Sequence, residues 1–184
     1  MGNVFYIQVN SVAAIMLLIL YFNSRLKLSY SQSNRLFRLI ILMTICVFAV
    51  DTAAWLLNGQ TLAYARAGLW LLNSFYFILT ELIAFFWFVY VFIQLRGDYL
   101  PPEERRKLAV ASLPFLAFLV MLLLTPWLDT IFYIDAQNQY QRGRLFFIQN
   151  LVGFGYMLAG TAMALWKVKK EELTEKKREY LSLA

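Results

Sequence analysis

The sequence contains no histidine and only one cysteine among its 184 residues. Without histidine, the chain has no imidazole that could act as a base near neutral pH, bind a metal or accept a phosphoryl group. The single thiol, Cys46, excludes an intrachain disulfide and a thiolate metal cluster. No P-loop and no HExxH sequence occurs either. We therefore expect no catalytic residues, no metal and no other cofactor, and we do not expect an enzyme.

Charged residues are scarce as well. Asp, Glu, Lys and Arg make up 15% of the chain, whereas 61% of it is apolar. An average soluble domain is about 45–50% apolar and about 25% charged. A chain of this size buries only about 70% of the surface that it exposes when unfolded, so a soluble core could not hold the excess. The composition therefore indicates an integral membrane protein.

Five segments are long and apolar enough to cross a bilayer, which takes about 20 helical residues. They are residues 4–22, 36–57, 68–95, 108–128 and 145–168. The first has no basic start and no small-x-small cleavage site, so it predicts a retained helix instead of a signal peptide. The expected fold is all-α: a polytopic bundle of about five transmembrane helices, forming a single membrane domain over residues 1–184, with a basic tail at 169–184.

The basic residues alternate between the two ends of these helices without a break. Of 17 lysines and arginines, all but Arg66, Arg142 and Arg144 lie on one side. Cytoplasmic loops carry the excess of Lys and Arg. The sequence therefore predicts a multi-pass membrane protein with its amino terminus outside and its carboxyl terminus in the cytoplasm. This asymmetry, together with attraction to membrane lipids, explains the net charge of +6 without nucleic acid as a partner.

Two connectors have a readable pattern. In residues 131–140, β-favouring residues flank a turn-forming stretch at 135–138, which predicts a short extracellular β-hairpin between the fourth and fifth helices. On the other side, Gly97 indicates a helix end. Two prolines and two glutamates at 101–104 then indicate a new helix start, because proline and acidic residues suit the first helical turn.

Four of the five predicted helices carry polar side chains at a similar depth. At 1.5 Å per residue, these side chains lie about 6–9 Å below the outer boundary. They are Asn10, Asp51, Asn73, Gln149 and Asn150. Polar groups are costly at membrane depth and call for an explanation. One interpretation is a layer of hydrogen bonds that only joins the helices.

The other interpretation is a ligand pocket that has this layer as its polar floor and aromatic side chains as its walls. The expected ligand-binding residues then also include Trp55, Tyr76 and Phe77, and the aromatic walls extend to Phe5, Tyr6, Phe75 and Phe154. The two interpretations are compatible, since a ligand could replace some of the bonds between helices.

Glu81 lies deeper, about 20 Å from the outer end of its helix by the same count. We expect its carboxyl group to be neutral there, because burial disfavours the charged form. It would then donate a hydrogen bond to Thr44, Tyr156, Thr161 or a backbone carbonyl. The alternative is a proton-linked switch or a ligand contact, which places Glu81 among the candidate ligand-binding residues.

The fifth predicted helix is rich in small residues. Gly155 and Ala159, and likewise Gly160 and Ala164, have the small-xxx-small spacing that lets helices approach closely. Such a face serves either packing inside the bundle or dimerisation. A bundle of five helices needs tight contacts in any case, so the sequence favours internal packing.

Three segments have a spacing of aromatic and polar residues in common with a known group of proteins. They are VFYIQVN at 4–10, D-x3-W-L-L-N-G at 51–59 and F-Y-I-D-x2-N-x-Y-x-R-G-x2-F at 132–146. In these segments the chain resembles the amino-terminal membrane input region of bacterial receptors, such as GGDEF diguanylate cyclases or histidine kinases of the seven-helix type. The resemblance implies sensing, a location in the bacterial inner membrane and a cytoplasmic output domain. Since these 184 residues contain no such domain, we expect a fragment of a longer receptor in which the basic tail leads to a further span.

The leading hypothesis is thus a sensory input module that binds a small or lipidic ligand from outside and repacks its helices. One alternative is a small transporter or channel, which would require a polar path or inverted repeats. Another is an assembly subunit without a ligand. The expected partners are membrane lipids, the ligand, an output domain and, if the small-residue face is external, a second copy of the chain.

Overall fold

The computed structural model describes residues 2–27, 31–97 and 99–182. In this part of the chain the elements are α1 (Gly2–Lys27), α2 (Gln32–Leu57), α3 (Ala65–Arg96), α4 (Pro102–Ala111), α5 (Leu113–Leu128), β1 (Phe132–Ile134), β2 (Tyr140–Arg142) and α6 (Phe146–Ser182). Helices α4 and α5 together make one span, so five helical segments are long and apolar enough to cross a membrane. The predicted all-α bundle of five spans with a short β-hairpin is confirmed.

The helices begin and end close to the predicted positions at the hairpin end of the bundle, which holds β1 and β2. At the opposite end, where the basic residues gather, α3 ends one residue later than predicted, and the other helices run several residues further. Hydropathy marks only the apolar part of a helix, whereas the backbone continues to a cap. The Asn34 amide donates to the Ser31 hydroxyl at 3.1 Å at the start of α2, and Gly97 ends α3 with a φ of 96°.

Helix α3 is the centre of the bundle. It packs along α2 on one side and along α6 on the other, while α1 lies against α2 and α5 lies against α3, α6 and β1. Three apolar clusters lie in the interior of the described part of the chain, and the smallest, Met43, Val47 and Leu79, joins α2 to α3. The cluster at the hairpin end contains Leu69, Phe77, Phe118, Leu122, Ile131, Phe132 and Ile134. The cluster nearer the basic end contains Ala84, Phe88, Phe92, Ile93, Leu100, Phe115 and Tyr156.

The fourth span is interrupted where α4 meets α5. The Tyr156 hydroxyl, from α6, donates to the Ala111 carbonyl at 2.7 Å and accepts a hydrogen bond from the Phe115 amide at 3.1 Å. These two backbone groups would bond each other in a continuous helix. Pro114, which has no N–H to donate, lies beside the interruption. A side chain of α6 therefore supplies the hydrogen bonds that the fourth span lacks.

The small residues of α6 face two directions. Gly153 lies beside the Glu81 carboxyl and Gly160 lies beside Val91, so these two glycines make the close contact with α3. No atom lies within 4 Å of the position that a Cβ at Gly155 would take, and Ala159 is exposed. The preference for internal packing is thus wrong for the Gly155/Ala159 pair.

The β-hairpin pairs Phe132 with Arg142 and Ile134 with Tyr140 in antiparallel register. Phe132 is fully buried, and its ring lies 4.5 Å from the ring of Trp70 and 5.5 Å from that of Phe77, centroid to centroid. These aromatic contacts anchor the hairpin on α3.

The tip of the hairpin is organised by Asp135. Its carboxylate accepts hydrogen bonds from the amides of Gln137 and Gln139 and from the Gln141 side chain, at 2.9–3.0 Å. The Gln141 bond, followed by the Gln139 bond, lowers the pKa of Asp135 below its ordinary value of 3.8. A lowered pKa in the folded state means that this carboxylate stabilises the tip above the unfolded-state pKa. That contribution is lost as the pH falls through the folded-state pKa.

We therefore expect the amide resonances of Gln137 and Gln139 to titrate with a midpoint below 3.8 in an NMR pH series of the detergent-solubilised protein. Asp135→Asn keeps a side-chain acceptor but cannot ionise, so it should abolish that titration. A midpoint at or above 3.8 in the wild type would show that these hydrogen bonds do not favour the carboxylate.

Candidate functional site

A cavity of about 320 Å³ lies at the hairpin end of the bundle, and we call it the hairpin-end pocket. Helix α2 and its cap, α3, β2 and α6 all contribute to its lining. The lining residues are Asp51, Ala54, Trp55, Asn58, Leu69, Asn73, Tyr76, Phe77, Tyr140, Arg142, Phe146, Gln149 and Asn150. Seven of the nine candidate ligand-binding residues are among them: Asp51, Trp55, Asn73, Tyr76, Phe77, Gln149 and Asn150.

The amides of the pocket are little used by the protein itself. Asn73 donates to the Leu69 carbonyl of its own helix at 2.8 Å. The side chains of Gln149 and Asn150 make no hydrogen bond to the residues that the structure describes. Three of the four amides in the predicted layer therefore form no bond between helices within the described residues. They leave polar atoms available to a bound molecule.

Asn10, the fourth amide, has a different role. Its side-chain nitrogen donates to the Thr52 hydroxyl at 3.0 Å, which joins α1 to α2, and it does not line the pocket. At Asn10 the structure therefore confirms a hydrogen bond between helices. The placement of Asn10 among the pocket residues is wrong. Thr52 follows Asp51 directly in α2, so the two neighbours serve different surfaces.

The expected aromatic walls are only partly present. Phe75 and Phe154 are 50% and 63% exposed on the outside of the bundle and do not line the pocket, so their assignment to its walls is wrong. The side chains of Phe5 and Tyr6 lie outside the part of the structure that is described. Among the described residues, the aromatic wall consists of the predicted Trp55, Tyr76 and Phe77 together with Tyr140 and Phe146.

The hairpin closes one side of the pocket because it is bonded to the loop after α2. The Asn58 side-chain oxygen accepts from the Tyr140 amide at 2.7 Å, and the Gly59 amide donates to the Asn138 carbonyl at 2.7 Å. The Asn138 side chain in turn donates to the Gln60 carbonyl at 2.9 Å. These bonds place β2 beside the end of α2.

Two residues of β2, Tyr140 and Arg142, line the pocket but are not among the predicted ligand-binding residues. The Arg142 guanidinium carbon lies 4.7 Å from the centre of the Phe146 ring. Burial raises the pKa of Tyr140 to about 12, so its hydroxyl is a neutral donor and acceptor at physiological pH. Both residues belong to the 132–146 pattern, and the sequence predicts the hairpin that carries them. The sequence does not predict where the hairpin packs against the helices.

Glu81 does not line the pocket, and its expected hydrogen bonds are absent. Its side chain is 2% exposed, and Oε2 has no hydrogen-bond partner among the described residues. Thr44 donates to the Ile40 carbonyl of its own helix, and the Tyr156 hydroxyl is engaged at the interruption of the fourth span. The third expected partner, Thr161, donates to a carbonyl of its own helix. The choice of its three side-chain partners is therefore wrong, and Glu81 lies outside the lining of the hairpin-end pocket.

Glu81 is nevertheless close to the pocket along α3. It lies one helical turn from Phe77, which lines the pocket. On the facing helix, a Cβ at Gly153 would lie 3.3 Å from Oε1 of Glu81. The absence of a side chain at Gly153 thus makes room for the carboxyl group at the interface of α3 and α6.

A second, larger cavity of about 1130 Å³ lies between α3, the end of α5 and β1. Its lining is mostly apolar and includes Trp70, Phe75 and Ile78, with Arg66 and Asp129 as its charged residues. None of the nine candidate ligand-binding residues lines it. Its exposed apolar wall suits contact with lipid chains.

The chain matches no protein-family model, and no curated protein or solved structure is significantly similar to it. The resemblance to receptor input regions therefore stays a prediction. The observations that bear on function are therefore the pocket and the two helices, α3 and α6, that extend from it towards the basic end.

Proposed function

We propose that this protein is a membrane-embedded sensory input module. It binds a small molecule in the hairpin-end pocket and passes the binding event along α3 and α6 to a cytoplasmic output domain. The observation that carries the proposal is the state of the pocket amides: within the described residues, Asn73, Gln149 and Asn150 do not bond across helix interfaces. A layer that served only to join helices would be expected to use them for that purpose.

The shape and chemistry of the pocket support a ligand. Ligand sites are concave, mostly apolar and carry a small number of polar groups that fix orientation. Here the aromatic wall supplies the apolar surface, and the amides and two charged side chains supply the polar groups. A volume of about 320 Å³ is at the lower end of the usual range and favours a small molecule over a lipid.

The ligand would contact α2, α3, β2 and α6 together, so it can favour one packing of these elements over another. A ligand shifts such an equilibrium only through different affinities for the two states. From Phe77 the interface of α3 and α6 continues through Glu81 and Gly153 towards the basic end. There the Lys167 ammonium donates to the Leu95 carbonyl at 2.7 Å.

Helix α6 suits transmission because of its length. Its 37 residues form one helix, which at 1.5 Å per residue is about 55 Å long. The hydrocarbon core of a bilayer is only about 30 Å thick. A displacement of α6 at the pocket would therefore extend beyond the membrane at the basic end. The asymmetry of basic residues supports a cytoplasmic location for that end, in a bacterial inner membrane, with the pocket facing outside.

The experiment is a thermal-shift screen of the detergent-purified protein against small molecules and lipids, with two asparagine variants. Asn150→Ala should leave the unliganded Tm unchanged, because the amide bonds no described residue, but it should weaken the shift caused by a ligand. Asn10→Ala should lower the unliganded Tm, because it breaks the bond to Thr52, and should preserve the ligand-induced shift.

Two outcomes would contradict the proposal. The first is that no compound raises the Tm while the protein conducts a solute in liposomes, which would indicate a transporter or channel. The second is that Asn150→Ala lowers the unliganded Tm as much as Asn10→Ala does. That result would assign the whole polar layer to helix packing and favour an assembly subunit.

A further inference from the structure

We infer that the ligand of the hairpin-end pocket is a small zwitterion of the amino-acid type, with its ammonium group at Asp51 and its carboxylate at Arg142. The inference rests on the proposed function and names the class of ligand for the same pocket. Asp51 is the acidic residue and Arg142 the basic residue among the described lining residues, and they belong to different elements, α2 and β2.

The balance of charge is the first argument. Among the described residues, the lining carries one negative and one positive side chain, and their formal charges cancel. A ligand with a single charge would pair with one of them and bring a like charge into the same cavity as the other. A ligand that carries both charges can pair its ammonium group with the half-buried Asp51 and its carboxylate with the exposed Arg142.

The type of each charged group is the second argument. A guanidinium presents N–H donors in a planar fork that matches a carboxylate. The guanidinium carbon of Arg142 lies 4.7 Å from the centre of the Phe146 ring, and the side chain is exposed, so its donors are accessible to a carboxylate. Arg142 is paired with Phe132 across the two strands. Phe132 is fully buried and anchors the hairpin on α3, which holds β2 and Arg142 in place.

The surroundings of Asp51 favour an ammonium group. Trp55 and Tyr76 line the same pocket, and aromatic faces attract cations. A carboxylate accepts several hydrogen bonds at once, so an ammonium group can bind Asp51 in addition to its contacts within the protein. The apolar surfaces of Leu69 and Phe77 remain for the side chain of the ligand.

The size of the pocket limits the ligand to one small unit. About 320 Å³ accommodates a molecule of amino-acid size but no diacyl lipid. The amides of Asn73, Gln149 and Asn150 each carry both donors and acceptors. They suit the polar atoms of such a ligand and allow selection among side chains.

The test uses the full chain in detergent and compares each amino acid with two analogues by thermal shift and isothermal titration. The amino-acid amide lacks the carboxylate, and the N-acetyl amino acid lacks the ammonium group. At least one free amino acid should raise the Tm, and each of its analogues should bind about tenfold more weakly or worse. This comparison needs only the wild-type protein and does not depend on the folding of any variant.

Variants then assign the two ends. Asp51→Asn should remove the preference for the free amino acid over its N-acetyl analogue, and Arg142→Gln should remove the preference over its amide. Arg144→Gln is the matched control, because Arg144 is exposed, lies two residues from Arg142 and does not line the pocket. It should bind the amino acid as the wild type does.

The outcomes separate this inference from the proposed function. A neutral or singly charged compound that raises the Tm of the wild type but not of Asn150→Ala overturns the zwitterion and leaves the sensory pocket standing. Equal loss of binding in Arg142→Gln and Arg144→Gln also overturns the assignment. If no compound of either panel changes the Tm, the zwitterion is wrong, and conduction of a solute in liposomes would then show that the proposed function is wrong as well.

Discussion

Replacing Tyr156 by phenylalanine should lower the stability of the bundle far more than the same substitution at Tyr90. The Tyr156 hydroxyl bonds both the Ala111 carbonyl and the Phe115 amide, which lie at the interruption between α4 and α5. Without the hydroxyl, both backbone groups lose their partner in a region that holds no water to replace it. Each buried unsatisfied group costs about 1–3 kcal/mol, so we expect the two groups together to lower the free energy of unfolding by about 2–6 kcal/mol.

Tyr90 is the matched control for this prediction. Its hydroxyl accepts one exposed hydrogen bond, from the Gln94 side chain at 3.2 Å, so Tyr90→Phe should change the free energy of unfolding by less than about 1 kcal/mol. Unfolding of both variants in detergent, followed by circular dichroism, measures the difference. Equal stabilities would mean that the Phe115 amide and the Ala111 carbonyl bond each other directly once the hydroxyl is gone.

The number of spans and the hairpin could be predicted from sequence because both depend on local patterns. A long apolar run is sufficient to identify a span, and β-favouring residues around a turn are sufficient to identify a hairpin. The interruption in the fourth span could not be predicted in this way. It depends on the hydroxyl of Tyr156, which lies 41 residues after Phe115. The sequence of residues 108–128 does not identify this partner.

For the pocket residues, the sequence predicts the depth in the membrane but not which of them face the pocket. Counting residues along a helix gives the depth of a side chain but not the direction in which it points around the helix axis. Asp51 and Asn150 were predicted at one depth and line the same cavity, whereas Asn10 was predicted at that depth and bonds Thr52 outside it. For Glu81 the same count brought Thr44 to its level, but that hydroxyl bonds its own helix.

The residues of β2 were missed for a different reason. Their contact with the pocket depends on how the hairpin docks, and docking is fixed by pairs that are distant in sequence. The bond from the Tyr140 amide to Asn58 joins residues 82 positions apart. Such pairs are tertiary contacts, and no local periodicity encodes them. The sequence therefore predicts the conformation of the hairpin but not the helices that it packs against. For this reason Arg142 could not be assigned to the site.

Substitution of Gly143 by alanine should destabilise the hairpin and disturb the pocket together. A Cβ at this position would overlap the carbonyl oxygens of Asp129 and Thr130, which are backbone atoms and cannot turn aside as a side chain could. The strands are held at this crossing by the Gly143 amide, which donates to the Ile131 carbonyl at 2.8 Å. Since Gly143 directly follows β2, we expect relief of the overlap to displace Arg142. Overpacking of this kind costs about 1–3 kcal/mol, and we expect a Tm loss of corresponding size.

Gly155→Ala is the control, because no atom lies within 4 Å of its Cβ position. In the interior of α6 alanine favours the helix by about 1 kcal/mol over glycine, so this variant should be as stable as the wild type or more stable. The two alanine variants are compared by their unliganded Tm and by the shift that a stabilising ligand produces. We expect Gly143→Ala to lose both stability and most of the shift, and Gly155→Ala to lose neither. If Gly143→Ala lowers the Tm but keeps the full shift, then β2 contributes nothing to binding and the site is formed by α2, α3 and α6 alone.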